Sequence, residues 1–241
     1  MRYDFKISYS RVCVYLFCNY KYKLVYLDNI RTPVNANVVF GHIIHKTLEQ
    51  FHSLKEMNFN LLVMCYDNFW RDYLLSIDQN RVFNYYNVGR QILENYYKSF
   101  KKSRTKILCV EKTFDINIGK YRFVGSIDRI DMHQDGSYEI IDYKTSKKIL
   151  NSEKTNNDLQ LSLYAYACKN VFGFSPNKMS IYFLYKNKKV YLVKSKNEIF
   201  DTINIAINVC ENILMENFDP SISKCKLCDL KFKCKFFSRN M

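Results

Sequence analysis

Three β-rich runs, at 107–116, 121–132 and 138–144, follow one another with only Gly119 and Asp135-Gly136 between them. Segments so close together have little choice but to pair as an antiparallel meander, and this constrains the fold more than anything else in the chain. Gln134-Asp135-Gly136 suits a three-residue hairpin loop with Gly136 in the left-handed position. That turn sets a register in which paired residue numbers sum to 270, so Asp128 lies opposite Asp142 with both side chains on one face. Lys144, two residues beyond Asp142, shares that face, and Asp131 points off it. A two-residue loop would shift the sum to 271 and turn Asp142 to the other face, so the inference depends on the turn.

The segments around the meander read as helices and two further strands. Ile43, Ile44, Leu48 and Phe51 form one apolar stripe over 42–56, and similar periodicity covers 61–77 and 89–101. Asp158 is placed to cap a helix reaching about Val171. Ser180–Lys186 and Val190–Lys194 read as strands around a Lys-Asn-Lys-Lys turn, and a helix over 198–215 keeps Ile199, Ile203, Ile207, Cys210 and Leu214 on one face. The order helix, three strands, helix, two strands, helix defines one mixed α/β domain over 1–241. Its parts are an N-terminal segment (1–40), a first core helix (41–55), a helical insertion (56–104), the sheet and its helices (105–217) and a cysteine tail (218–241).

Facing carboxylates repel, and the usual remedies are a shared proton or a divalent cation. Asp142 stands among Ile140, Ile141 and Tyr143, too apolar a setting for a casually solvated charge. A lysine beside a metal-binding pair can orient water or neutralise charge developing on a phosphoryl group. The competing reading is structural: a surface salt bridge joins Asp142 to Lys144, and Asp128 pairs with Arg129.

Lys and Arg number 37 against 23 acidic residues, a net charge of +14, which favours a polyanionic partner, nucleic acid before anionic lipid. An abundance of Asn, Ile, Tyr and Lys, as an AT-rich coding sequence produces, weakens that argument. No run approaches the ~18 apolar residues of a membrane span, and charges within the first twenty residues argue against a secretory signal. The nine cysteines then point to a reducing, cytoplasmic setting. Cys13, Cys65, Cys109, Cys168 and Cys210 sit singly in apolar runs, as small buried side chains do. Cys225, Cys228 and Cys234 form C-x2-C-x5-C in a Lys-rich tail with no core to fill, and thiolates there can hold an iron–sulfur cluster or zinc once a fourth joins them.

Gly125-Ser-Ile-Asp128-Arg, followed by Asp142-Tyr143-Lys144, resembles motifs II and III of the PD-(D/E)XK nuclease superfamily, more narrowly its RecB-like branch. Gly41-His-Ile-Ile-His45 is similar to that branch's G-x-x-x-H motif, and Gln160-Leu-Ser-Leu-Tyr164 to its Q-x-x-x-Y motif. The resemblance implies a restriction-endonuclease-like core, a mixed central sheet flanked by helices. It further implies that His45, Asp128, Asp142 and the Tyr143 carbonyl hold Mg²⁺ or Mn²⁺, that Lys144 positions the attacking water and stabilises the charged phosphorane, and that Gln160 and Tyr164 hold the lysine or the scissile phosphate. Glu111 reads either as an acidic neighbour of that site or as a rim salt bridge, and His42 and His52 as bystanders.

Members with a cluster draw their fourth cysteine from an aromatic-rich N-terminal S-x-S…C-P segment. Ser8-Tyr-Ser10 and Cys18 match it, with Asn19 in place of proline and Cys13 as the rival ligand. The resemblance therefore implies a 4Fe-4S staple of Cys18, Cys225, Cys228 and Cys234, with zinc as the alternative. By analogy with a disulfide closing a loop of roughly 100 residues, such a staple contributes about 4.7 kcal/mol.

The pattern spans about 8–235 and is most similar to the exonucleases of CRISPR adaptation; the same module occurs in AddB-type and eukaryotic replication helicase–nucleases. The family acts on DNA ends, often 5′ to 3′ on single strands, here with Lys186, Lys188, Lys189, Lys224 and Lys226 tracking the backbone and exposed rings stacking bases. A spacer integrase or other DNA-processing proteins are the expected partners. No G-x-x-x-x-G-K-[ST] loop is present, so these residues hold no helicase motor. The rival classes are a non-catalytic DNA- or partner-binding module with the same iron–sulfur or zinc site, and a small zinc-tail regulator.

Overall fold

A computed structural model describes residues 5–33, 35–73, 79–149 and 159–237. The chain divides into two compact units, one of residues 34–113 and 126–195, the other of 1–33, 114–125 and 196–241.

The first of these contains a mixed sheet. Strand β2 (Lys106–Ile118) pairs with β3 (Tyr121–Met132), and both strands contribute residues to the two units. Strand β3 runs antiparallel to β4 (Tyr138–Lys144), β4 parallel to β5 (Lys178–Phe183), and β5 antiparallel to β6 (Lys188–Leu192). Arg129 pairs with Ile141 and Ile130 with Ile140, the register expected from the turn. The turn is the reason: His133 N–H donates to Ser137 O at 2.8 Å, and Gly136, at φ +78°, takes the left-handed conformation that a side chain would strain.

Helix α3 (Ala36–His52) presents the anticipated stripe of Ile43, Ile44, Leu48 and Phe51, each at most 1% exposed. It starts earlier than the periodicity alone marks, because the Asn35 side chain caps it by accepting the Asn37 N–H at 2.9 Å. Helices α4 (Phe59–Tyr73) and α5 (Gln79–Phe100) extend the same core, joining Leu62, Tyr66, Trp70, Leu93 and Tyr96 to Ile141, Tyr143 and Tyr182 of the sheet. Residues 74–77 of the second helical pattern lie outside the described residues. The pattern expected to begin at Gly89 begins earlier, at Gln79, and Gly89 lies inside α5: an added Cβ would come 2.0 Å from Tyr66 Oη, so this glycine makes room for a ring and breaks nothing.

Helix α6 (Leu159–Ala167) packs against β4 and β5 and ends in a π turn at Cys168–Phe172, closed by Gly173. Its expected cap, Asp158, lies outside the described residues. The strand expected to continue to Lys186 stops at Phe183. A 3-10 turn at Leu184–Lys186 follows, and Asn187, left-handed at φ +48°, reverses the chain.

The second unit holds β1 (Lys6–Ile7), parallel to the start of β3, and α7 (Lys196–Leu214). It also holds α1 (Tyr9–Phe17), a helix beyond those expected from the sequence, and α2 (Asn19–Tyr22), which runs into a π turn at Lys23–Leu27. Cys18 sits between α1 and α2 in extended conformation. The tail is built from 3-10 turns at Ile222–Leu227 and Lys231–Lys233. Among the described residues no helix is long and apolar enough to cross a membrane.

Candidate active site

The hairpin register is observed as far as Arg129↔Ile141, one residue short of Asp128 and Asp142. Both are buried, Asp128 at 8% and Asp142 at 1% exposed. Together with His45, Tyr143, Lys144 and Gln160 they line one cleft of ≈ 950 Å³. Asp128 Oδ2 accepts the Tyr143 main-chain N–H at 2.7 Å and lies 3.5 Å from His45 Nδ1. Lys144 Nζ is 2.7 Å from Asp142 Oδ2 and donates to Gln160 Oε1, also at 2.7 Å. Gln160 Nε2 in turn donates to Tyr164 Oη at 2.6 Å, so the two helix residues form a chain ending on the lysine.

Gly41 allows α3 to come this close. A Cβ there would stand 2.9 Å from Thr145 Oγ1, in the residue after Lys144.

Burial, and then the charge of Asp142, push the Asp128 carboxyl well above the usual carboxylate range. Burial, and then the Lys144 charge, bring the His45 imidazole down to about 4, against a hydrogen bond with the Tyr143 main chain that pulls it up. A neutral imidazole beside carboxylates that resist ionisation together is a donor set that a divalent cation satisfies. His45, Glu111 and Asp128 present ligand atoms within 4.8 Å of one another, which fits such an ion.

Of the two readings of Glu111, the geometry favours the site neighbour. It is held at φ +44° and accepts Ser126 Oγ at 2.8 Å. Nothing in the local sequence announces this, since the residue is one of several charges along β2. Asp142 lies outside that trio, its Oδ2 engaged by Lys144, so a cation bridging the two aspartates competes with the lysine for that oxygen.

Lys144 does pair with Asp142, but with the carboxylate buried rather than at the surface as the structural alternative has it, and Asp128 does not pair with Arg129. Arg129 instead forms two 2.6 Å contacts with Asp131. His52 is buried away from the cleft, bonded to Tyr96. Lys186 and Lys188 are exposed, whereas Lys189 pairs with buried Glu139 at 3.0 Å.

In the other unit, Cys18, Cys225, Cys228 and Cys234 surround one small cavity of ≈ 20 Å³, which Cys13 does not line. Burial, then the neighbouring thiols Cys234 and Cys18, push the Cys225 thiol up. The Ser221 N–H donates to Cys18 Sγ at 3.3 Å. Lys224 of the tail donates to Leu16 O at 3.0 Å.

A mixed sheet with helices thus carries two buried acids on adjoining strands with a lysine beside them. The family model of the PD-(D/E)XK nuclease superfamily matches residues 6–235, and the chain belongs to that superfamily. It is 26% identical over 207 residues to a subunit of the ATP-dependent helicase/deoxyribonuclease of Streptococcus pyogenes serotype M12, an alignment covering 79% of this chain and 19% of that one. A serotype M3 counterpart aligns over 211 residues at 26%, covering 81% and 20%. The chain thus spans about a fifth of the curated relatives it matches. A solved structure from Eubacterium rectale, a candidate exonuclease, shares the fold at a TM-score of 0.63 and 11% identity, over 99% of this chain and 89% of that one.

Proposed function

We propose that this chain is a divalent-metal-dependent deoxyribonuclease that hydrolyses phosphodiester bonds at DNA ends, single strands preferred, with Mg²⁺ or Mn²⁺ as activator. One observation carries the reading: Asp128, Asp142 and Lys144 line a single cleft with His45 beside them. His45, Asp128, Asp142, Glu111 and the Tyr143 carbonyl would hold the ion. When bound, a divalent cation lowers the pKa of an attacking water and neutralises phosphate charge, and imidazole among its ligands suits Mn²⁺.

Lys144 then donates to the water or to a phosphate oxygen, held on station by Gln160, itself braced by Tyr164. Lys147 lines the same cleft and would meet an entering backbone. The relatives named above are helicase/deoxyribonuclease components, and this supports DNA as substrate. Cys18, Cys225, Cys228 and Cys234 would carry a structural 4Fe-4S cluster, or zinc in its place, and we propose a role in CRISPR adaptation or DNA repair.

The test uses protein purified without oxygen, assayed for iron, sulfide and zinc, and given end-labelled single- and double-stranded DNA with Mn²⁺. Degradation that disappears in Asp142→Ala is the expected result. Intact DNA with the wild type, or equal degradation by the variant, rejects the enzyme and leaves the binding module.

A further inference from the structure

Behind the cleft lies a buried polar cluster that the hydrolysis does not use. Arg129, 4% exposed, sets Nε and Nη2 on the two oxygens of Asp131 at 2.6 Å each, and Asp131 also accepts Thr105 Oγ1 at 2.7 Å. Its remaining arm, Nη1, donates to Tyr96 Oη at 2.7 Å and to Tyr143 Oη at 3.4 Å. The two phenol oxygens are 2.7 Å apart, and Tyr96 Oη is 2.6 Å from His52 Nε2.

Burial, and then the Arg129 charge, bring His52 down to about 3, so its ring is neutral. Arg129 only donates, and the arrangement giving every hydroxyl proton an acceptor runs from Tyr143 to Tyr96 to His52. Among the described residues, His52 Nδ1 is left buried with no hydrogen-bond partner.

As stabilisation alone this is a poor device. Removing a guanidinium and a carboxylate from water costs several kcal/mol, and apolar side chains of similar volume often do as well or better. The stranded Nδ1 costs roughly 1–3 kcal/mol more. What the cluster holds is the Tyr143 ring. The main chain of that residue donates to Asp128 Oδ2 at 2.7 Å, and its ring meets the His45 ring edge-on at 6.0 Å. Tyr143 thus bonds one proposed metal ligand, packs its ring against another, and is bonded to the cluster.

We infer that Arg129, Tyr96 and His52 are positioning residues that clamp Tyr143 and so fix the spacing of His45 and Asp128 for a divalent cation, an inference that rests on the metal-site reading above. It gives the helical insertion a part in the site, because Tyr96 belongs to α5. A side chain that orients a ligand from behind typically changes metal affinity by about 10- to 100-fold when removed.

The test is Mn²⁺ binding followed by the electron paramagnetic resonance of the free ion, with no substrate present, beside the Mn²⁺ dependence of cleavage. Tyr96→Phe and Tyr143→Phe keep the rings and delete the hydroxyls. Each is expected to weaken Mn²⁺ binding about tenfold, the double variant no more than either alone, with cleavage recovered at saturating Mn²⁺. His52→Gln, which keeps an acceptor for Tyr96, is expected to retain wild-type affinity, and His52→Leu to lose it.

Tyr66→Phe is the control, deleting another buried hydroxyl that bonds the Tyr86 carbonyl at 3.2 Å. It is expected to lower the thermal midpoint and leave Mn²⁺ affinity alone. If Tyr96→Phe and Tyr143→Phe behave like this control, the cluster is merely structural and the inference is wrong. If the wild type binds no Mn²⁺, the metal-site reading itself fails and the inference goes with it.

Discussion

His45 Nδ1 and Asp128 Oδ2 stand 3.5 Å apart, the first on helix α3 and the second on strand β3. This contact joins a neutral imidazole to a carboxyl whose ionisation is opposed by burial and by Asp142.

That opposition should be visible as stability. A carboxyl raised in the folded state stabilises the fold at low pH, and the benefit is lost as pH rises through the raised value. Asp128→Asn keeps an acceptor for the Tyr143 N–H and removes the charge. With chelator present it should be more stable than wild type at pH 8 by about 0.5–2 kcal/mol, with a smaller gap at pH 5, while cleavage is abolished. Urea melts at the two pH values, paired with activity assays, check this; a variant less stable at pH 8 contradicts it.

Lys144 contacts both Asp142 and Gln160, so removing it and loosening it should differ in degree. Lys144→Ala is expected to lower the single-turnover rate by about 10²–10³-fold with Mn²⁺ binding retained, in proportion to the loss of one positioned donor. Gln160→Ala should cost less, because Asp142 still holds the ammonium group, and Tyr164→Phe least. Equal losses from all three would mean that the chain Tyr164–Gln160–Lys144 acts as one unit.

His52 supplies an acid limb. Its folded value of about 3 lies below the unfolded ~6.5, so the unfolded chain binds the extra proton between those values and stability falls as pH drops from about 6.5 towards 3. The slope approaches about 1.4 kcal/mol per pH unit for one such group. His45, brought down to about 4, acts in the same direction. The difference in melting free energy between wild type and His52→Gln isolates the His52 share, and parallel pH profiles would refute it.

Metal content separates the cysteines. Cys228→Ser is expected to lose the iron or zinc proposed above and to destabilise the protein by about 2–5 kcal/mol, by analogy with removing a cross-link. Cys13→Ser, outside the cavity, should retain both metal and midpoint. Elemental analysis with thermal melts decides, and a Cys13→Ser protein stripped of metal would reassign the fourth ligand.

Much of this arrangement was legible because it is local. Asp135-Gly136 suits a turn and the turn fixes a register, observed as far as Arg129↔Ile141, each step needing only neighbours in sequence. Gln160 and Tyr164 share a helical face for the same reason. The boundaries of α3 and α5 were less legible. Asn35 caps one helix through a side-chain hydrogen bond, and Gly89 in the other makes room for Tyr66 of a different helix, a contact that periodicity does not carry.

The amino-acid order alone put Asp128 and Asp142 on adjoining strands with Lys144 two residues on, and matched four cysteines to a staple pattern, because strand alternation and helical repeat are properties of the backbone; the face shared by the aspartates depended on the turn. Only the tertiary structure decided that Glu111 stands with His45, that Arg129 serves Asp131 and the tyrosines rather than Asp128, and that Tyr96 reaches Tyr143 from a distant helix. Those partners are set by how buried groups far apart in the chain satisfy their charges and hydrogen bonds once water is gone, and no spacing in the sequence records that choice.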